Sequence, residues 1–359
     1  MKLSPSLPLW SLALPLAATG YYLLGWTAAS NLASIVGALL LMGSVLSAVH
    51  HAEVVAHKVG EPFGTIILAL AITILEVGLI VSMMMAGGED ATVLARDTVF
   101  AAIMLILNGI LGISLLIGGV KYREQYFGQN GVGTALVALV AILTLCLILP
   151  NFTSSSPGPT YSMAQMLLVA IACLVIYGTF ILVQTVRHRD YFLDDDDESG
   201  DHHAEPPSVK IALISLIFLL ICLAVVVLMS KALSPLIEGM VKGMGAPVAL
   251  VGVIIAAVVL LPEGLAALRA ARRNRFQTSL NLALGSALAS IGLTIPAVIV
   301  VCLVMDIPLI LGLTWKSMIL LSLSIFTVML SLNQGKTNIL YGVVLLVNLV
   351  IYVFTVIVP

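Results

Sequence analysis

The sequence predicts an all-α polytopic membrane protein with about eleven transmembrane helices. Of its 359 residues, 60% are hydrophobic and only 9% are charged, which is outside the range of soluble globular proteins. The apolar stretches recur almost from end to end, and each is long enough to cross ~30 Å of hydrocarbon as a helix. No basic surface suggests nucleic acid, so membrane lipid is the expected surrounding.

Eleven apolar stretches are bounded by Gly, Pro or charged residues. We interpret the first as a membrane helix rather than a cleaved signal, because no clear small-residue cleavage site follows it. The expected spans are 8–25, 31–52, 62–87, 98–119, 131–150, 162–186, 209–231, 245–270, 278–304, 308–330 and 338–358.

The distribution of Lys and Arg predicts the orientation of the chain in an inner membrane. With a cytoplasmic N-terminus, 12 of the 16 basic residues fall on the inside and 4 on the outside, which is the expected bias. An odd number of helices then places the C-terminus outside.

A linker at 187–208 lies inside under the same orientation. It is strongly acidic, since 8 of the 18 acids lie between Asp190 and Glu205. Its charge run cannot be buried and is either a solvated spacer or a segment that attracts Ca²⁺ and senses or concentrates it.

An internal repeat relates the two halves of the chain. Glu53-x6-Gly60-x-Pro62 recurs as Glu238-x6-Gly245-x-Pro247, and each copy leads into a long apolar helix. The first copy begins at the cytoplasmic end of a span and the second at the outer end, so the halves have inverted topology. Inverted repeats are typical of secondary transporters, in which two related conformations open one central site to either side.

Each repeat carries one glutamate deep in its long helix, Glu76 in the first and Glu263 in the second. A charged side chain near the bilayer centre costs ~2.5–3.5 kcal/mol, so a glutamate without a basic partner at its depth indicates a bound proton, a cation or water. Burial favours the protonated carboxyl group, whereas a nearby cation favours the carboxylate. Competition between protons and a metal ion for these two residues would be the chemical basis of antiport.

Further oxygen ligands are available at Thr73, Asn108 and Ser286, the last beside Gly285 and near Ser290. Pro262 also frees the carbonyl of the residue four positions earlier, Val258. Ca²⁺ needs 6–8 oxygens, so such groups would complete its shell. The alternative for each hydroxyl is a hydrogen bond to its own helix or a neighbouring one.

Glu53 and Glu238, one per repeat, would occupy opposite mouths of the pathway and serve in gating or ion access. His50 and His57 share a helical face with Glu53, and histidine is the residue type most used as a pH sensor, so a pH-sensing role there is one interpretation. Interfacial polar residues at a helix end are the simpler interpretation of both histidines.

The sequence contains no signature of an enzyme, such as GxSxG, HExxH or paired membrane aspartates. The four cysteines have neither disulfide nor zinc spacing, and we expect no cofactor beyond transported Ca²⁺, Na⁺ or K⁺ and protons. The main alternative to an antiporter is a channel or leak that uses the same carboxylates for selectivity. The sequence is also compatible with assembly of the chain into a homo-oligomer.

The residues around both glutamates resemble the calcium/proton exchangers of the cation/calcium exchanger superfamily, and within it the bacterial Cha-type cation/proton antiporters. The first signature runs from His51-Ala52-Glu53 through Gly60-Glu61-Pro62-Phe63-Gly64 to Ile74-Leu75-Glu76-Val77. The second comprises Pro262-Glu263-Gly264-Leu265, Arg272-Arg273-Asn274 and Gly285-Ser286-Ala287-Leu288.

This resemblance implies eleven helices in a one plus five plus five arrangement, with Glu76 and Glu263 binding cation and proton alternately. The corresponding domains are an N-terminal helix at 1–30, repeats at 31–186 and 209–359, and the linker between them. The Gly-Asn-Ala-type tripeptide that usually precedes each signature glutamate is replaced here, by Thr73-Ile74-Leu75 and by Leu260-Leu261-Pro262. The resulting loss of two amides leaves Na⁺, K⁺ and Ca²⁺ open as substrates.

Overall fold

A computed structural model describes residues 7–28, 30–60, 63–86, 91–193, 206–243, 245, 247 and 249–358. Thirteen α-helices occur in this part of the chain, with no named β-strand. They are α1 (Leu9–Leu23), α2 (Asn31–Val59), α3 (Phe63–Ala86), α4 (Ala91–Met104), α5 (Leu111–Tyr122), α6 (Gln129–Leu143), α7 (Met163–Leu182), α8 (Val209–Gly243), α9 (Ala249–Arg272), α10 (Phe276–Gly292), α11 (Thr294–Met305), α12 (Trp315–Leu332) and α13 (Ile339–Ile357).

Ten spans among the described residues are long and apolar enough to cross a membrane. Two of them, Thr92–Tyr122 and Phe276–Met305, each combine two consecutive helices. The expected first span at 8–25 is not among these ten, because α1 has only 15 residues. The predicted all-α polytopic fold is therefore confirmed.

Short π-helical segments interrupt three of the spans. One, Leu105–Ile110, joins α4 to α5, while Thr144–Ile148 and Val183–Arg187 extend α6 and α7. A π-helical turn adds one residue per turn and frequently occurs at functional sites. The first of these segments carries Asn108.

The helices divide into two compact units, and each takes residues from both halves of the sequence. The first unit lies within Met1–Ala91 and Gly200–Val251. In it α8 packs against α1, α2 and α3, and α2 also packs against α1 and α3. The Cys222 thiol on α8 lies 3.5 Å from the Ser47 hydroxyl on α2.

The second unit lies within Thr92–Ser199 and Gly252–Pro359. Its closest helix pair is α5 with α13, which meet through glycines. A Cβ on Gly342 would lie 2.6 Å from the amide nitrogen of Leu116 and 2.7 Å from the carbonyl oxygen of Gly112. Small residues let membrane helices approach this closely and gain van der Waals contact.

The segment before α12 forms no helix, although we expected a span from residue 308. Its backbone amides instead bond to carbonyls of other segments: Ile310 to Thr92 at 3.1 Å and Leu313 to Leu147 at 2.9 Å. Pro308 has no amide hydrogen and disfavours the helical conformation in the residue before it. The span therefore begins at Trp315.

The two glycines of the sequence repeat both have a positive φ angle. Gly60 has φ of 77° and Gly245 has φ of 70°. Positive φ strains residues with a Cβ, so glycine is favoured at both positions. Pro62 of the first repeat copy, the signature residue Glu61 and linker residues 194–205 lie outside the described residues.

Candidate functional site

Glu76 lies on the buried stripe of α3. The stripe follows a helical spacing of three or four residues through Ala69, Thr73, Glu76, Ile80 and Met83, each at most 9% exposed. Glu76 itself is only 2% exposed. The opposite face bears exposed apolar side chains, so α3 directs its carboxylate away from the lipid side.

The Thr73 hydroxyl lies one turn before Glu76 on this stripe. It donates a hydrogen bond of 2.8 Å to the carbonyl oxygen of Ala69 on its own helix. A hydrogen bond to its own helix was the alternative to cation binding for each hydroxyl in the sequence analysis. This bond uses the hydroxyl proton of Thr73. The lone pairs of the oxygen remain on the side chain, so a role as a cation ligand stays a prediction.

Glu263 lies on α9 in the second unit and is half-buried as a whole residue, unlike Glu76. Ala256, Leu260 and Ala267 share its helical face and are each at most 4% exposed. Both carboxylate oxygens of Glu263 are buried. A hydrophobic residue, Leu260, stands three positions before Glu263, where Thr73 stands before Glu76, so the two stripes differ in polarity.

The next residue of α9 contacts the π-helical segment of the same unit. A Cβ on Gly264 would lie 3.3 Å from Cδ1 of Ile110. The segment Leu105–Ile110 also contains Asn108, which is completely buried. The structure therefore packs the helix that carries Glu263 against the segment that carries Asn108.

The Asn108 amide is held by α4 and α12. Its Nδ2 donates to the carbonyl oxygen of Met104 at 3.3 Å and to Oγ of Ser324 at 2.9 Å. Its Oδ1 is buried, and no hydrogen-bond partner reaches it from the described part of the chain. A buried carbonyl oxygen of this kind is a suitable ligand for a hard cation.

Ser286 lies half-buried on α10, whereas Ser290 on the same helix is 3% exposed. Elsewhere α10 joins α5 through a hydrogen bond of 3.1 Å between the buried hydroxyls of Ser279 and Ser114. The contact between Ser279 and Ser114 shows that α10 contributes polar groups inside the second unit. The role of Ser286 as a cation ligand stays a prediction.

The residues predicted for the mouths lie mainly on α2. Glu53 and His57 are exposed, and the ring centroid of half-buried His50 lies 5.5 Å from that of Trp10. The backbone of Glu238 belongs to α8, but its side chain lies outside the described residues. Their proposed gating function stays a prediction.

Sequence reasoning named His51 only as part of the first signature and gave it no role of its own, whereas in the structure it is a fully buried histidine of α2. Its Nε2 lies 3.0 Å from the carbonyl oxygen of Ser11, to which Ser47 also donates. A carbonyl oxygen only accepts, so Nε2 carries the proton in this contact. His51 thus attaches α2 to α1, and its position one turn after Ser47 was the available signal.

Ser324 and Asn348 were also missed. They lie on α12 and α13 and are 0% and 6% exposed. The residue after Asn348, Leu349, lies close to the π-helical segment: its Cδ2 would be 3.3 Å from a Cβ on Gly109. A mid-span asparagine was visible in the sequence, whereas Ser324 resembled the other hydroxyl residues of its helix.

A resident metal centre is not indicated by the described side chains. Among them, no group of three or more His, Cys, Asp or Glu residues could hold a metal ion. Thr73 supplies a hydroxyl on the same stripe of α3 as Glu76, and Asn108 supplies an amide on the segment that α9 contacts at Gly264. Such groups are suited to weak binding of a transported ion.

Similar proteins were found by sequence. A putative ionic transporter y4hA of Sinorhizobium fredii is 42% identical over 348 residues, covering 95% of this chain and 94% of the relative. The sodium-potassium/proton antiporter ChaA of Escherichia coli is 37% identical over 332 residues, covering 91% and 88%.

Solved structures show the same fold at lower identity. YfkE has a TM-score of 0.73 at 17% identity, covering 98% of this chain and 99% of that one. The H⁺/Ca²⁺ exchanger CAX has a TM-score of 0.71 at 14% identity, covering 96% and 87%.

The profile of the family described as sodium/calcium exchanger protein matches residues 30–186 and 214–358. These ranges contain both glutamates and both halves of the internal repeat. The predicted resemblance is confirmed, and this chain belongs to the sodium/calcium exchanger protein family.

Proposed function

We propose that this chain is a secondary active antiporter that exchanges a cytoplasmic cation, Ca²⁺, Na⁺ or K⁺, for external protons by alternating access. The observation that carries the proposal is the buried carboxylate of Glu76 on a membrane span, 2% exposed. Glu263 supplies the second carboxylate from the other repeat. Both groups hold either protons or the cation.

The coupling follows from the cost of leaving a carboxylate charged in a membrane. A carboxylate at this depth requires a positive ion, so the pathway changes its orientation with either a proton or a metal ion bound. An empty charged site would be much less stable. Transport of one ion is therefore tied to return of the other.

The oxygens of Thr73, Asn108 and Ser286 are the proposed additional ligands. Glu53 and Glu238 are proposed to act at the two mouths, with His50 and His57 beside Glu53. The chain would lie in the inner membrane with its N-terminus in the cytoplasm, as the Lys and Arg distribution indicates.

The named relatives differ in the ions they exchange. The relative at 37% identity is named for sodium, potassium and protons, whereas relatives at 24% are named Ca²⁺/H⁺ antiporters. This difference supports a monovalent cation as a substrate of the present chain. We therefore expect Na⁺ or K⁺ to be exchanged at least as well as Ca²⁺.

Sealed proteoliposomes with an acidic interior test the function. Addition of Na⁺, K⁺ or Ca²⁺ outside should discharge the pH gradient even when thiocyanate, a permeant anion present on both sides, holds the membrane potential near zero. A channel would pass cation without moving protons under that clamp. Cation uptake with an unchanged internal pH would contradict the antiporter and support the channel.

A further inference from the structure

The orientation of the Asn108 amide is set by hydrogen bonds that leave little freedom. Asn108, Met104 and Ser324 are all 0% exposed. The Nδ2 group has two hydrogens, and it has two oxygen acceptors, the Met104 carbonyl at 3.3 Å and Ser324 Oγ at 2.9 Å. Both donors of the amide are therefore used.

The Ser324 hydroxyl accepts from Asn108 because its own proton is used elsewhere. Its Oγ donates to the carbonyl oxygen of Leu320 at 2.8 Å on α12. A hydroxyl has one proton and two lone pairs, so Oγ can accept from Nδ2 while donating to Leu320. The bonds form a directed chain from the amide through the hydroxyl to the backbone of α12.

A flipped amide would be unfavourable at this site. It would place Oδ1 against the Met104 carbonyl oxygen, and two acceptors would face each other without a proton between them. The observed orientation leaves Oδ1 as a buried acceptor that no described residue satisfies. Leaving such a group without a partner is unfavourable, and a bound cation would offset this cost.

We propose that Ser324 is a positioning residue that holds the Asn108 amide so that its carbonyl oxygen, rather than its NH₂ group, faces the transported cation. The inference rests on the proposed function, which makes Asn108 a ligand. The Met104 sulfur, 3.8 Å from Nδ2 and 3.6 Å from Ser324 Oγ, packs against the same arrangement. Without the hydroxyl, Nδ2 would keep only the Met104 carbonyl as an oxygen acceptor, so the amide would be held less firmly and its carbonyl oxygen would be positioned less well for the cation.

Serine is placed for this task by the helical spacing of α12. Leu321, Ser324, Val328 and Ser331 form its buried stripe, each at most 3% exposed. Ser322, two residues before Ser324, is exposed. Ser322→Ala is therefore a matched control that removes a hydroxyl from the same helix away from the amide.

The test compares Ser324→Ala, Ser324→Thr and Ser322→Ala with the unaltered full chain. In purified protein, binding of radioactive sodium, rubidium or calcium is measured together with cation-induced thermal stabilisation. Ser324→Ala should weaken cation binding about threefold to tenfold, the loss expected for one hydrogen bond. Ser324→Thr keeps the hydroxyl and should restore affinity, and Ser322→Ala should bind as the unaltered protein does.

A structural role alone would give a different pattern. If Ser324 were only structural, Ser324→Ala would lower the unfolding temperature equally with and without cation. The rise in unfolding temperature that cation causes would then be the same as in the unaltered protein. The proposal predicts a smaller increment, with the maximal transport rate preserved and the half-saturating cation concentration raised. If Ser324→Thr fails to fold, the Ser324→Ala increment and affinity still decide the proposal.

Failure of this inference can be distinguished from failure of the proposed function. Unchanged affinity in Ser324→Ala, while the unaltered protein exchanges cation for protons, overturns the positioning role alone. Weakened binding in Ser324→Ala, while the unaltered protein moves cation without protons, supports the positioning role and overturns the antiporter.

Discussion

Replacement of Gly342 by alanine should separate α13 from α5. The added Cβ would lie 2.6 Å from Leu116 N and 2.7 Å from Gly112 O, and both are backbone atoms. Favourable contacts lie at about 3.5 Å, so the helices must move apart by about 1 Å. Overpacking of this kind costs about 1–3 kcal/mol, while alanine regains up to ~1 kcal/mol of helix propensity.

A matched glycine separates these two effects. Gly178 on α7 is exposed, and a Cβ there would meet no atom within 4 Å. Gly178→Ala therefore gains the propensity without the clash, and Gly342→Ala should be about 1–3 kcal/mol less stable than this control.

The assay is thermal unfolding of both variants in the same detergent, together with cation affinity. Because α13 also contacts the π-helical segment at Gly109, its displacement should weaken cation binding as well. Equal unfolding temperatures for Gly342→Ala and Gly178→Ala would refute the close α5–α13 packing.

Three other perturbations test different parts of the account. Apparent cation affinity should fall as pH decreases from ~9 to ~5, because protons occupy the same carboxylates; transport titrations that superimpose across this range would argue against a shared site. His51→Ala should lower the unfolding free energy by about 1–3 kcal/mol, because it removes a buried hydrogen bond between α2 and α1 and leaves a cavity in place of the imidazole, while Ser47 still donates to the Ser11 carbonyl. Thermal unfolding checks this against His57→Ala, an exposed control, and similar midpoints would contradict the role of His51 in joining α1 to α2. Deletion of Asp194–Glu198 should alter apparent affinity or regulation more than maximal transport rate, measured as initial cation flux; abolished flux would mean that the linker is essential.

Hydrophobic length and composition were sufficient to predict most of the fold. Ten of the eleven expected spans meet the length and hydropathy expected of a membrane helix, and the buried position of Glu76 follows from its helical spacing. The end of α8 was misjudged at residue 231. Helix α8 continues to Gly243 with Pro235 inside it, because Lys231 does not end a helix whose backbone bonds are satisfied.

Local backbone departures could not be predicted from the same pattern. The π-helical segment at Leu105–Ile110 is as apolar as an ordinary helix, so its extra residue per turn depends on packing. The non-helical segment before Trp315 is likewise apolar, and its amides find carbonyls in distant parts of the chain. Hydrophobicity reports burial in the membrane and carries little information about such long-range hydrogen bonds.

The site was predicted in part. Glu76 and Asn108 stand out as polar groups within apolar runs, and both are buried. The partner of Asn108 could not be predicted, because Ser324 lies 216 residues away. Serines are common in membrane helices and usually bond to their own backbone, so only the coordinates distinguish Ser324 from Ser322.

The most direct test uses charge-neutral, isosteric variants in proteoliposomes that carry a pH gradient. Glu124 is exposed and paired with Lys336, so Glu124→Gln controls for loss of a carboxylate outside the pathway. Glu76→Gln and Glu263→Gln should fold normally yet discharge the gradient no faster than empty vesicles when cation is added, while Glu124→Gln behaves as the unaltered protein does. Full cation-driven proton movement in either buried-glutamate variant would contradict the mechanism.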